Sequence, residues 1–550
     1  MTNQLNIAMV QLNQRVGDLA GNAAAMLDWR AKAVGADLVV FPEQQLIGYP
    51  AEDLVLKPAF AARAAEQLAK LAAATADGGP AMLVGSIFRD NGALYNGIAL
   101  LDGGRIAAVR YKHELPNYGT FDEKRIFTAG PLPEPIVFRG VPIGVPICED
   151  GWLAPVSLHL KERGAELLIS TNGSPYEIDK DDRRLEEVFA ARVRETGLPL
   201  MFLNRVGGQD ELVFDGCSFA LNADGTVAHR LPDWEEHLRM THWSRTASGW
   251  ACADGPKALW EAHPADIYSA MVTGLRDYVN SNGFPGVVLG MSGGIDSAIC
   301  AAIAADALGP DRVWCVMLPS RYTSQSSLDD AAECAAMIGC KIDTIPISPA
   351  VEAFDEMLSG SFADRDVDIT EENVQSRIRG LTLMALSNKF GHMLLTTGNK
   401  SEMSVGYATL YGDMNGWFNP IKDLYKMQVF RLCHLRNEWK PGNAMGPAGE
   451  VIPVNIIVKP PTAELRENQK DQDSLPPYEV LDAILSRYME QDQSAQEIVA
   501  AGFAMADVEK VTRLIRINEY KRRQCAPGVR ITTKAFGKDR RLPITNRWFG

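Results

Sequence analysis

The sequence predicts an α/β protein built from two successive regions. In both regions, short apolar runs of strand-like composition alternate with Ala- and Leu-rich runs whose apolar residues recur at helical spacing. In the first region, between about residues 5 and 241, helix candidates at 22–34 and 61–74 separate the strand candidates NIAMVQL, ADLVVFPE, AMLVGSIF, VPIGVPICE, ELLISTN and LPLMFLNRV. Interleaved strands and helices of this kind are typical of α/β domains.

A second α/β unit is expected from residue 265 onward. Its strand candidates PGVVLG, RVWCVMLP, CKIDTIPI and HMLLTTGN alternate with helix candidates at 265–282, 295–305, 328–338 and 371–389. Because helices separate the strands, the strands are predicted to pair in a parallel sheet. We therefore expect a first domain at 1–242, a connector at 243–264 and a second domain at 265–550. Exposed tryptophans near the connector would suit an interface: Trp243, Trp250 and Trp260.

The composition excludes several classes of protein. With 46% hydrophobic and 23% charged residues among 550, the chain is globular rather than disordered or collagen-like. Its net charge of −14 argues against a nucleic-acid partner. The first residues lack the pattern of a signal peptide, and no apolar run approaches the roughly 20 residues of a membrane span. Nine cysteines without a CxxC pair argue against a disulfide scaffold or a zinc site. We expect a cytoplasmic enzyme with no membrane partner.

Three reactive side chains follow apolar strands in the first region. They are Glu43 in FPE, Lys112 in YKHEL and Cys148 in ICED. Strand ends open into clefts, where the chemistry of α/β folds tends to lie. A cysteine nucleophile needs a base and a nearby positive charge, which a glutamate and a lysine can supply. Taken singly, each residue also has an ordinary explanation, as a buried apolar thiol, a turn carboxylate or a surface ammonium.

In order and spacing, these three strings resemble the nitrilase superfamily, whose members hydrolyse amides with a Glu–Lys–Cys triad. The resemblance covers about residues 4–240 and implies a four-layer α/β/β/α sandwich. It implies catalytic roles for Glu43, Lys112 and Cys148, and it places the second glutamate of the family at Glu123 in FDEKRIF.

Within that superfamily, four strings are similar to the glutaminase domain of glutamine-dependent NAD synthetases: GYPAEDL, LPNYGTFDEKRIF, NGSPYEIDK and NRVGGQDELVFDGCSF. The similarity implies that glutamine is contacted by Tyr118, Glu123, Ser174 and Lys180. The chain departs from the common pattern at Gln44 and Thr120, where aliphatic residues are more usual. Both departures lie outside the triad.

The string VVLGMSGGIDSAICAAIAA is the most informative in the second region. In this string a strand is followed by a Ser-Gly-Gly turn and then by the start of a helix. This arrangement can bind an anion, because glycine lets the backbone approach the anion closely and the first turn of the helix offers unpaired N–H groups. No GK[ST] follows, so the string is not a Walker A loop, and it is not GxGxxG. SGGIDS resembles the pyrophosphate-binding loop of the N-type ATP pyrophosphatases, which implies a Rossmann-like parallel α/β domain. The implied ATP-binding residues are Gly290, Met291, Ser292, Gly293, Gly294, Ile295, Asp296, Ser297 and Thr397.

Asp296 is placed to hold Mg²⁺ against pyrophosphate oxygens, although a first-turn acid favoured by the helix dipole has the same position. The strings EENVQSRIRG, LLTTGNKSEMSVGYATLYGD, KPPTAELRENQKDQDSLPPYEVLD and INEYKRRQCAPG extend the resemblance to NAD synthetases over nearly the whole chain. They imply metal ligation by Asp296 and Glu402. They also imply deamido-NAD contacts from Asn373, Glu402, Asp413, Lys426 and Lys521. The basic run 521–523 is interpreted either as a solvated face or as a clamp on a pyrophosphate-bearing substrate.

The resemblance implies a complete reaction. Glutamine is hydrolysed in the first domain, and its ammonia passes to the second, where deamido-NAD is adenylated by ATP and amidated to NAD. The expected partners are glutamine, ATP and deamido-NAD, with Mg²⁺ as cofactor and a homo-oligomeric state. Two alternatives remain: an ammonia-only synthetase whose first domain only binds, and a different amidotransferase with the same ATP loop. The intact triad argues against the first, and the distal strings argue against the second.

Overall fold

The computed structural model describes residues 2–467 and 469–548. The chain divides into two compact units, Met1–Glu261 and Ala262–Gly550. Throughout the described part of the chain, each helix falls short of the length and apolarity needed to cross a bilayer.

The first unit contains a seven-stranded sheet of order β15-β14-β1-β2-β3-β4-β5, a six-stranded sheet of order β13-β12-β9-β8-β7-β6 and the hairpin β10-β11. The strands are β1 Gln4–Gln11, β2 Leu38–Val40, β3 Ala81–Asp90, β4 Ala93–Asp102, β5 Arg105–Tyr111, β6 Ile136–Phe138, β7 Val141–Gly144, β8 Leu167–Asn172, β9 Leu200–Asn204, β10 Val206–Gln209, β11 Leu212–Asp215, β12 Phe219–Leu221, β13 Val227–Arg230, β14 His237–Thr246 and β15 Gly249–Cys252.

The helices of the first unit connect these strands. They are α1 Leu19–Lys32, α2 Pro58–Ala74, α3 Glu123–Ile126, α4 Glu149–Trp152, α5 Ala154–Glu162, α6 Lys180–Asp182 and α7 Ala190–Thr196. Two 3-10 turns lie at Glu52–Leu56 and Thr75–Asp77, and a π-helix spans Arg183–Phe189.

Alternating side chains divide the first unit into four layers. In β1, Ile7 belongs to the apolar cluster between the two sheets, whereas Ala8 packs toward α1 and α2. In β9 of the other sheet, Met201 faces the same central cluster, and Phe202 packs toward α5 and α7. Successive strand residues point to opposite faces, so each sheet is covered on both sides. The order of layers is α/β/β/α, as the sequence resemblance implies.

The expected connector at 243–264 is partly wrong. β14 pairs with β1 from His237 to Ser244 and with β15 from Trp243 to Thr246, so the sheet of the first unit extends to Cys252. Trp243 and Trp250 are buried in the cluster between the sheets rather than exposed at an interface. The strand escaped prediction because its apolar residues change face, which breaks the alternation of a half-buried strand: Leu238 and Met240 pack toward the helices, whereas Trp243 packs between the sheets.

The second unit contains a parallel sheet of order β18-β17-β16-β19. Its strands are β16 Val287–Gly290, β17 Val313–Met317, β18 Lys341–Thr344 and β19 Met393–Leu395. The helices are α8 Ala265–Ser281, α9 Ile295–Leu308, α10 Gln325–Ile338, α11 Ser348–Leu358, α12 Ile369–Phe390, α13 Lys400–Val405, α14 Lys426–Glu438, α15 Val454–Val458, α16 Tyr478–Leu485, α17 Ala495–Ala500, α18 Met505–Ile517 and α19 Glu519–Arg522. Shorter 3-10 turns lie at Pro310–Arg312 and Asp471–Asp473, with a π-helix at Ser486–Glu490.

The four strands predicted from sequence thus form one Rossmann-like sheet with helices on its faces. Val288 and Leu394 of neighbouring strands pack against Ile378 of α12. A separate apolar cluster joins α13, α16 and α18 through Met403, Leu481 and Val511. The parallel strands all end at the same edge, which is where open α/β sheets bind ligands.

We expect Trp243→Ala to destabilise the first unit by about 3–5 kcal/mol, because it removes a large side chain that is only 1% exposed. Its indole N–H also donates to Thr241 Oγ1 at 2.8 Å. Denaturant unfolding of the full chain, followed by circular dichroism, measures the change. Trp548→Ala is the control, since that side chain is 76% exposed. Equal stability of the two variants would contradict the placement of β14 in the sheet.

Candidate active sites

The first site lies at the ends of strands from both sheets of the first unit. Glu43 follows β2 and Lys112 follows β5, both in the seven-stranded sheet. Cys148 follows β7 and Gly173 follows β8 in the other sheet. The two sheets therefore contribute different parts of one site.

A buried lysine holds two carboxylates at the centre of this site. Lys112 Nζ lies 2.9 Å from Glu43 Oε1 and 2.9 Å from Glu123 Oε2, and the lysine side chain is 0% exposed. Burial on its own would lower the pKa of Lys112, but Glu123 and Glu43 outweigh it and raise the pKa well above its usual value. Lys112 therefore stays cationic. Burial raises the pKa of Glu123 to about 6, with Lys112 opposing the rise and Glu43 adding to it.

Neighbouring donors fix the orientation of the Glu43 carboxylate. Asn96 Nδ2 donates to Oε1 at 2.7 Å, and the Gly173 N–H donates to Oε2 at 2.8 Å. A Cβ at residue 173 would lie 2.8 Å from the Tyr49 ring and 3.2 Å from Glu43 Oε2. Glycine is thus required for the backbone to approach this carboxylate so closely.

Cys148 sits in a strained turn beside these charges. Its φ of 46° is unusual for a residue other than glycine, and its N–H donates to the Thr171 carbonyl at 2.9 Å. Burial raises the pKa of the Cys148 thiol well above its usual value; Glu43 raises it further, and Lys112 opposes the rise. The Cys148 thiol is therefore protonated at rest. Use of its sulfur as a nucleophile requires a base that removes this proton.

The residues expected to contact glutamine fall into two groups around Cys148. Tyr118 donates its hydroxyl to Glu149 Oε2 at 3.0 Å, and the charges of Glu149 and Lys180 interact. Lys180 Nζ also lies 5.5 Å from the centre of the Trp152 ring. Glu149, which directly follows Cys148, was not predicted as a site residue. Its position beside the nucleophile was the signal that could have identified it.

Ser174 belongs to a buried polar group one residue after Gly173. Its N–H donates to Asn204 Oδ1 at 2.9 Å, and its carbonyl accepts from Arg184 at 3.0 Å. Arg184 is paired in turn with Asp215 at 2.6 Å. Hydrogen bonds to its backbone N–H and carbonyl therefore hold Ser174 in place.

The second site is built on the turn between β16 and α9. Gly293 has a φ of 75°, and a Cβ there would lie 2.1 Å from the Ser327 carbonyl oxygen. The Ser292 hydroxyl accepts the Gly294 N–H at 3.2 Å, and Ser297 Oγ donates to the Gly294 carbonyl at 3.0 Å. These bonds shape the predicted phosphate loop at the N-terminus of a 14-residue helix.

One lysine again joins two carboxylates at this loop. Lys426 Nζ bonds to Asp296 Oδ2 and lies 3.3 Å from Glu402 Oε1, while Asn399 Nδ2 donates to Asp296 Oδ1 at 2.9 Å. Burial and then Asp296 raise the pKa of Glu402 to about 8, against the lowering effect of Lys426. Within the residues that the structure describes, no group of three or more His, Cys, Asp or Glu could hold a metal ion. A metal here needs further oxygen ligands from a substrate.

A cavity of about 310 Å³ opens beside this loop. The predicted residues on its wall are Gly290, Met291, Ser292, Gly294, Ile295, Asp296, Ser297, Thr397, Glu402, Asp413 and Lys426. Sequence reasoning missed several charged residues there: Arg379, Lys459, Glu464 and Asp471. All four lie within sequence strings quoted above. The neighbouring residues in the sequence do not indicate that these side chains face a cavity.

The remaining deamido-NAD candidates are engaged with the protein itself. Thr409 donates its hydroxyl to Asn373 Oδ1 at 3.0 Å and its N–H to Asp413 Oδ1 at 2.7 Å. Lys521 Nζ donates to the Gly406 and Ala408 carbonyls at 2.8 and 2.7 Å. The structure thus brings these three residues to the segment 406–413; of the three, Asp413 lies on the cavity wall, and Asn373 and Lys521 lie outside the described lining.

The basic run 521–523 does not form one surface. Arg522 is buried and paired with Glu519 at 2.9 Å, and its guanidinium also donates to backbone carbonyls. Arg523 donates to the Leu542 carbonyl at 2.8 Å. The proposed three-residue clamp on a pyrophosphate is therefore wrong for Arg522, whose charge is neutralised inside the unit.

Comparisons with known proteins match a family to each of the two units. A family model described as carbon-nitrogen hydrolase matches residues 6–248, and one described as NAD synthase matches residues 267–525. A glutamine-dependent NAD(+) synthetase from Rhodobacter capsulatus is 54% identical over 100% of this chain and 99% of its own length. One from Xanthomonas campestris is 48% identical over 99% of this chain and 98% of its own length.

The chain belongs to the glutamine-dependent NAD(+) synthetase family. A solved structure of a member from Acinetobacter baumannii, in complex with adenosine diphosphate, is 41% identical with a TM-score of 0.77, and covers 98% of each chain. Members of this family are enzymes, and the nitrilase-like and parallel α/β units described above are its two domains.

Gly173→Ala should lower glutamine-dependent activity about 100-fold, because the added methyl group would push the Tyr49 ring or displace the Glu43 carboxylate. Steady-state rates with glutamine and with ammonium, measured on the same preparation, test this. Ammonium-dependent activity should be retained. Gly360→Ala is the matched control, since a Cβ there meets nothing within 4 Å. Full activity of Gly173→Ala with glutamine would show that this close approach is not required.

Proposed function

We propose that the first unit hydrolyses glutamine at Glu43, Lys112 and Cys148, and that the second unit uses the ammonia to amidate deamido-NAD at the expense of ATP. The observation that carries the proposal is the buried Lys112, which is held by two carboxylates next to a cysteine in a strained turn. The phosphate loop and its cavity in the same chain supply the second half of the reaction.

In the first half-reaction, Cys148 attacks the side-chain amide of glutamine. Glu43 takes the thiol proton during the attack, because a thiol with a raised pKa does not ionise beforehand. Lys112 stabilises the oxyanion of the tetrahedral intermediate with its positive charge. Glu43 passes the thiol proton to the leaving nitrogen, ammonia departs, and the Glu43 carboxylate then takes a proton from the water that hydrolyses the glutamyl thioester to glutamate and returns it to the Cys148 sulfur.

Glutamine is an amino acid, so its binding requires partners for an ammonium and a carboxylate. Glu149 and Lys180 supply a negative and a positive group near Cys148, and Tyr118 bonds to Glu149. Glu123 completes the charged cluster with Lys112. We assign glutamine recognition to these residues and to the backbone around Ser174.

In the second half-reaction, the nicotinate carboxylate of deamido-NAD attacks the α-phosphate of ATP and releases pyrophosphate. A carboxylate is a poor electrophile, and adenylation gives it AMP as a leaving group. The loop from Ser292 to Ser297 is assigned to ATP, together with Thr397 on the cavity wall. Ammonia then displaces AMP and yields the carboxamide of NAD.

The donors at the loop fit Mg²⁺. Asp296 and Glu402 converge on one cation, the Lys426 ammonium, and hard carboxylate oxygens are what Mg²⁺ prefers. Mg²⁺ usually takes one or two carboxylates and fills its other positions with phosphate oxygens and water. When bound, the ion neutralises charge on the departing pyrophosphate. Lys426 would then be available to the phosphates.

The fusion of the two units follows from the chemistry of ammonia. Free ammonia is mostly protonated at neutral pH and then is no nucleophile, so release from glutamine within the same protein preserves the reactive form. Deamido-NAD recognition is assigned to Glu402, Asp413 and Lys426 on the cavity wall, with Asn373 and Lys521 acting through the neighbouring segment 406–409 to which they bond. A homo-oligomeric assembly and a cytoplasmic location remain predictions from the sequence.

Cys148→Ala should abolish glutamine-dependent NAD synthesis and leave ammonium-dependent synthesis largely intact. The nucleophile lies in one unit, and the adenylation loop lies in the other. NAD formation with each nitrogen source measures the effect. Cys252→Ala is the matched control, because Cys252 is equally buried in the first unit but outside the site. Equal loss of both activities in a folded Cys148→Ala protein would contradict the division of labour.

Asp296→Asn should impair synthesis from both nitrogen sources by about 100-fold or more, because it acts on adenylation rather than on nitrogen supply. Its rate should also require higher Mg²⁺ concentrations. AMP formation with ammonium, titrated with Mg²⁺, tests both points. Asp311→Asn, in the exposed turn after the same helix, should behave like the unchanged enzyme. If Asp296→Asn kept its turnover and Mg²⁺ dependence, Asp296 would only be a helix-terminus acid.

A further inference from the structure

We propose that Asp150 is a positioning residue of the glutaminase site, which fixes the nucleophile turn relative to the oxyanion lysine. The proposal rests on the function assigned to the first unit. As a positioning residue, Asp150 does not contact the reacting atoms. It acts through the backbone on either side of the site.

The Asp150 side chain joins two separate segments. It is 0% exposed, and its Oδ1 accepts the N–H groups of His113 at 3.1 Å and Glu114 at 2.7 Å. Its Oδ2 accepts the Ile147 N–H at 3.1 Å. His113 directly follows Lys112, and Ile147 directly precedes Cys148. One carboxylate therefore binds the chain next to each of two catalytic residues, which come from different sheets.

The nucleophile turn needs such support because it is strained. A φ of 46° at Cys148 is costly for a residue with a side chain, and it persists only where the surroundings enforce it. The Asp150 N–H donates back to the Ile147 carbonyl at 3.1 Å, and the Gly151 N–H donates to the Cys148 carbonyl at 2.8 Å. The side chain and backbone of Asp150 thus close the turn from both sides.

Burial of the Asp150 carboxylate lowers the stability of the folded protein. Burial raises the pKa of Asp150 to about 7, although the Glu114 and Ile147 N–H groups and Lys112 oppose the rise. Because this native pKa lies above the value of about 3.9 for an unfolded aspartate, folding stability falls as the pH rises from 4 to 7. A neutral side chain would avoid that loss. A residue that costs stability at a catalytic centre is more readily explained by geometry than by folding.

The test is Asp150→Asn in the full chain. Asparagine keeps the shape of the side chain but has only one acceptor oxygen. Either the N–H groups of His113 and Glu114 or the N–H of Ile147 therefore loses its hydrogen-bond acceptor. We expect kcat with glutamine to fall about 10- to 100-fold, with KM for glutamine within about twofold and ammonium-dependent synthesis unchanged. Alkylation of Cys148 by iodoacetamide should change in rate, since the turn that presents the sulfur is released. The stability lost between pH 5 and pH 8 should be smaller than in the unchanged protein.

Asp37→Asn is the matched control. Asp37 also accepts a long-range backbone N–H in the first unit, that of Asn6 at 2.7 Å, but it lies outside the site. The proposal is overturned if folded Asp150→Asn keeps its glutamine turnover, or if it loses glutamine and ammonium activity in equal proportion. If Asp150→Asn does not fold, Asp150→Glu decides, because its longer side chain keeps the charge and displaces the bonds. Undiminished turnover of that variant overturns the proposal. Full glutamine activity of Cys148→Ala would instead refute the proposed function itself.

Discussion

The buried ammonium of Lys112 between Glu43 and Glu123 is the constraint on which the first unit depends. Burying charged groups costs several kcal/mol per ion, and the attraction between them offsets this only when geometry and additional hydrogen bonds are good. Here Asn96, Gly173 and Tyr49 supply those bonds. These hydrogen bonds form only when the strand ends of the two sheets lie close together, because Asn96 belongs to one sheet and Gly173 follows a strand of the other. Burial, with Glu43 adding to it and Lys112 opposing it, raises the pKa of the neighbouring Cys148 thiol and keeps that thiol protonated.

The second unit repeats this arrangement for a different purpose. Lys426 also joins two carboxylates, but its cluster lies on the wall of a 310 Å³ cavity at a helix N-terminus. The first cluster is closed by protein donors and holds a fixed charge next to a nucleophile. In the second, the cluster lies beside a cavity, and under the proposed function phosphates and a divalent cation replace its internal partners, because they carry the charges that match Lys426 and the two acids. A lysine between two carboxylates thus provides a fixed electrostatic field in the first unit and, under the proposed function, a binding site in the second.

The sequence predicted those parts of the sites that follow an apolar strand. Glu43, Lys112, Cys148 and the SGGIDS loop all have that position, and strand edges are where α/β folds place chemistry. It could not predict β14, whose apolar residues change face between Met240 and Trp243, or partners such as Asn96, which reaches Glu43 only through sheet pairing. Lone polar residues in strands or loops carry no local signal of their partners. Asp150 was visible beside Cys148, but its three backbone bonds exist only in the folded protein.

Lys521 was predicted to contact deamido-NAD, but its ammonium is engaged with the protein itself. The described residues on the cavity wall include Ala408 and Asp413 but not Lys521. Its ammonium is committed to the Gly406 and Ala408 carbonyls. Burial lowers the pKa of Lys521, with Asp413 opposing the fall. Burial also raises the pKa of Asp413 to about 6, against the lowering effects of the Thr409 N–H and Lys521. A direct contact with deamido-NAD would require Lys521 to release two good hydrogen bonds. In this conformation Lys521 instead holds the backbone of residues 406–408, and Ala408 of that segment forms part of the cavity wall.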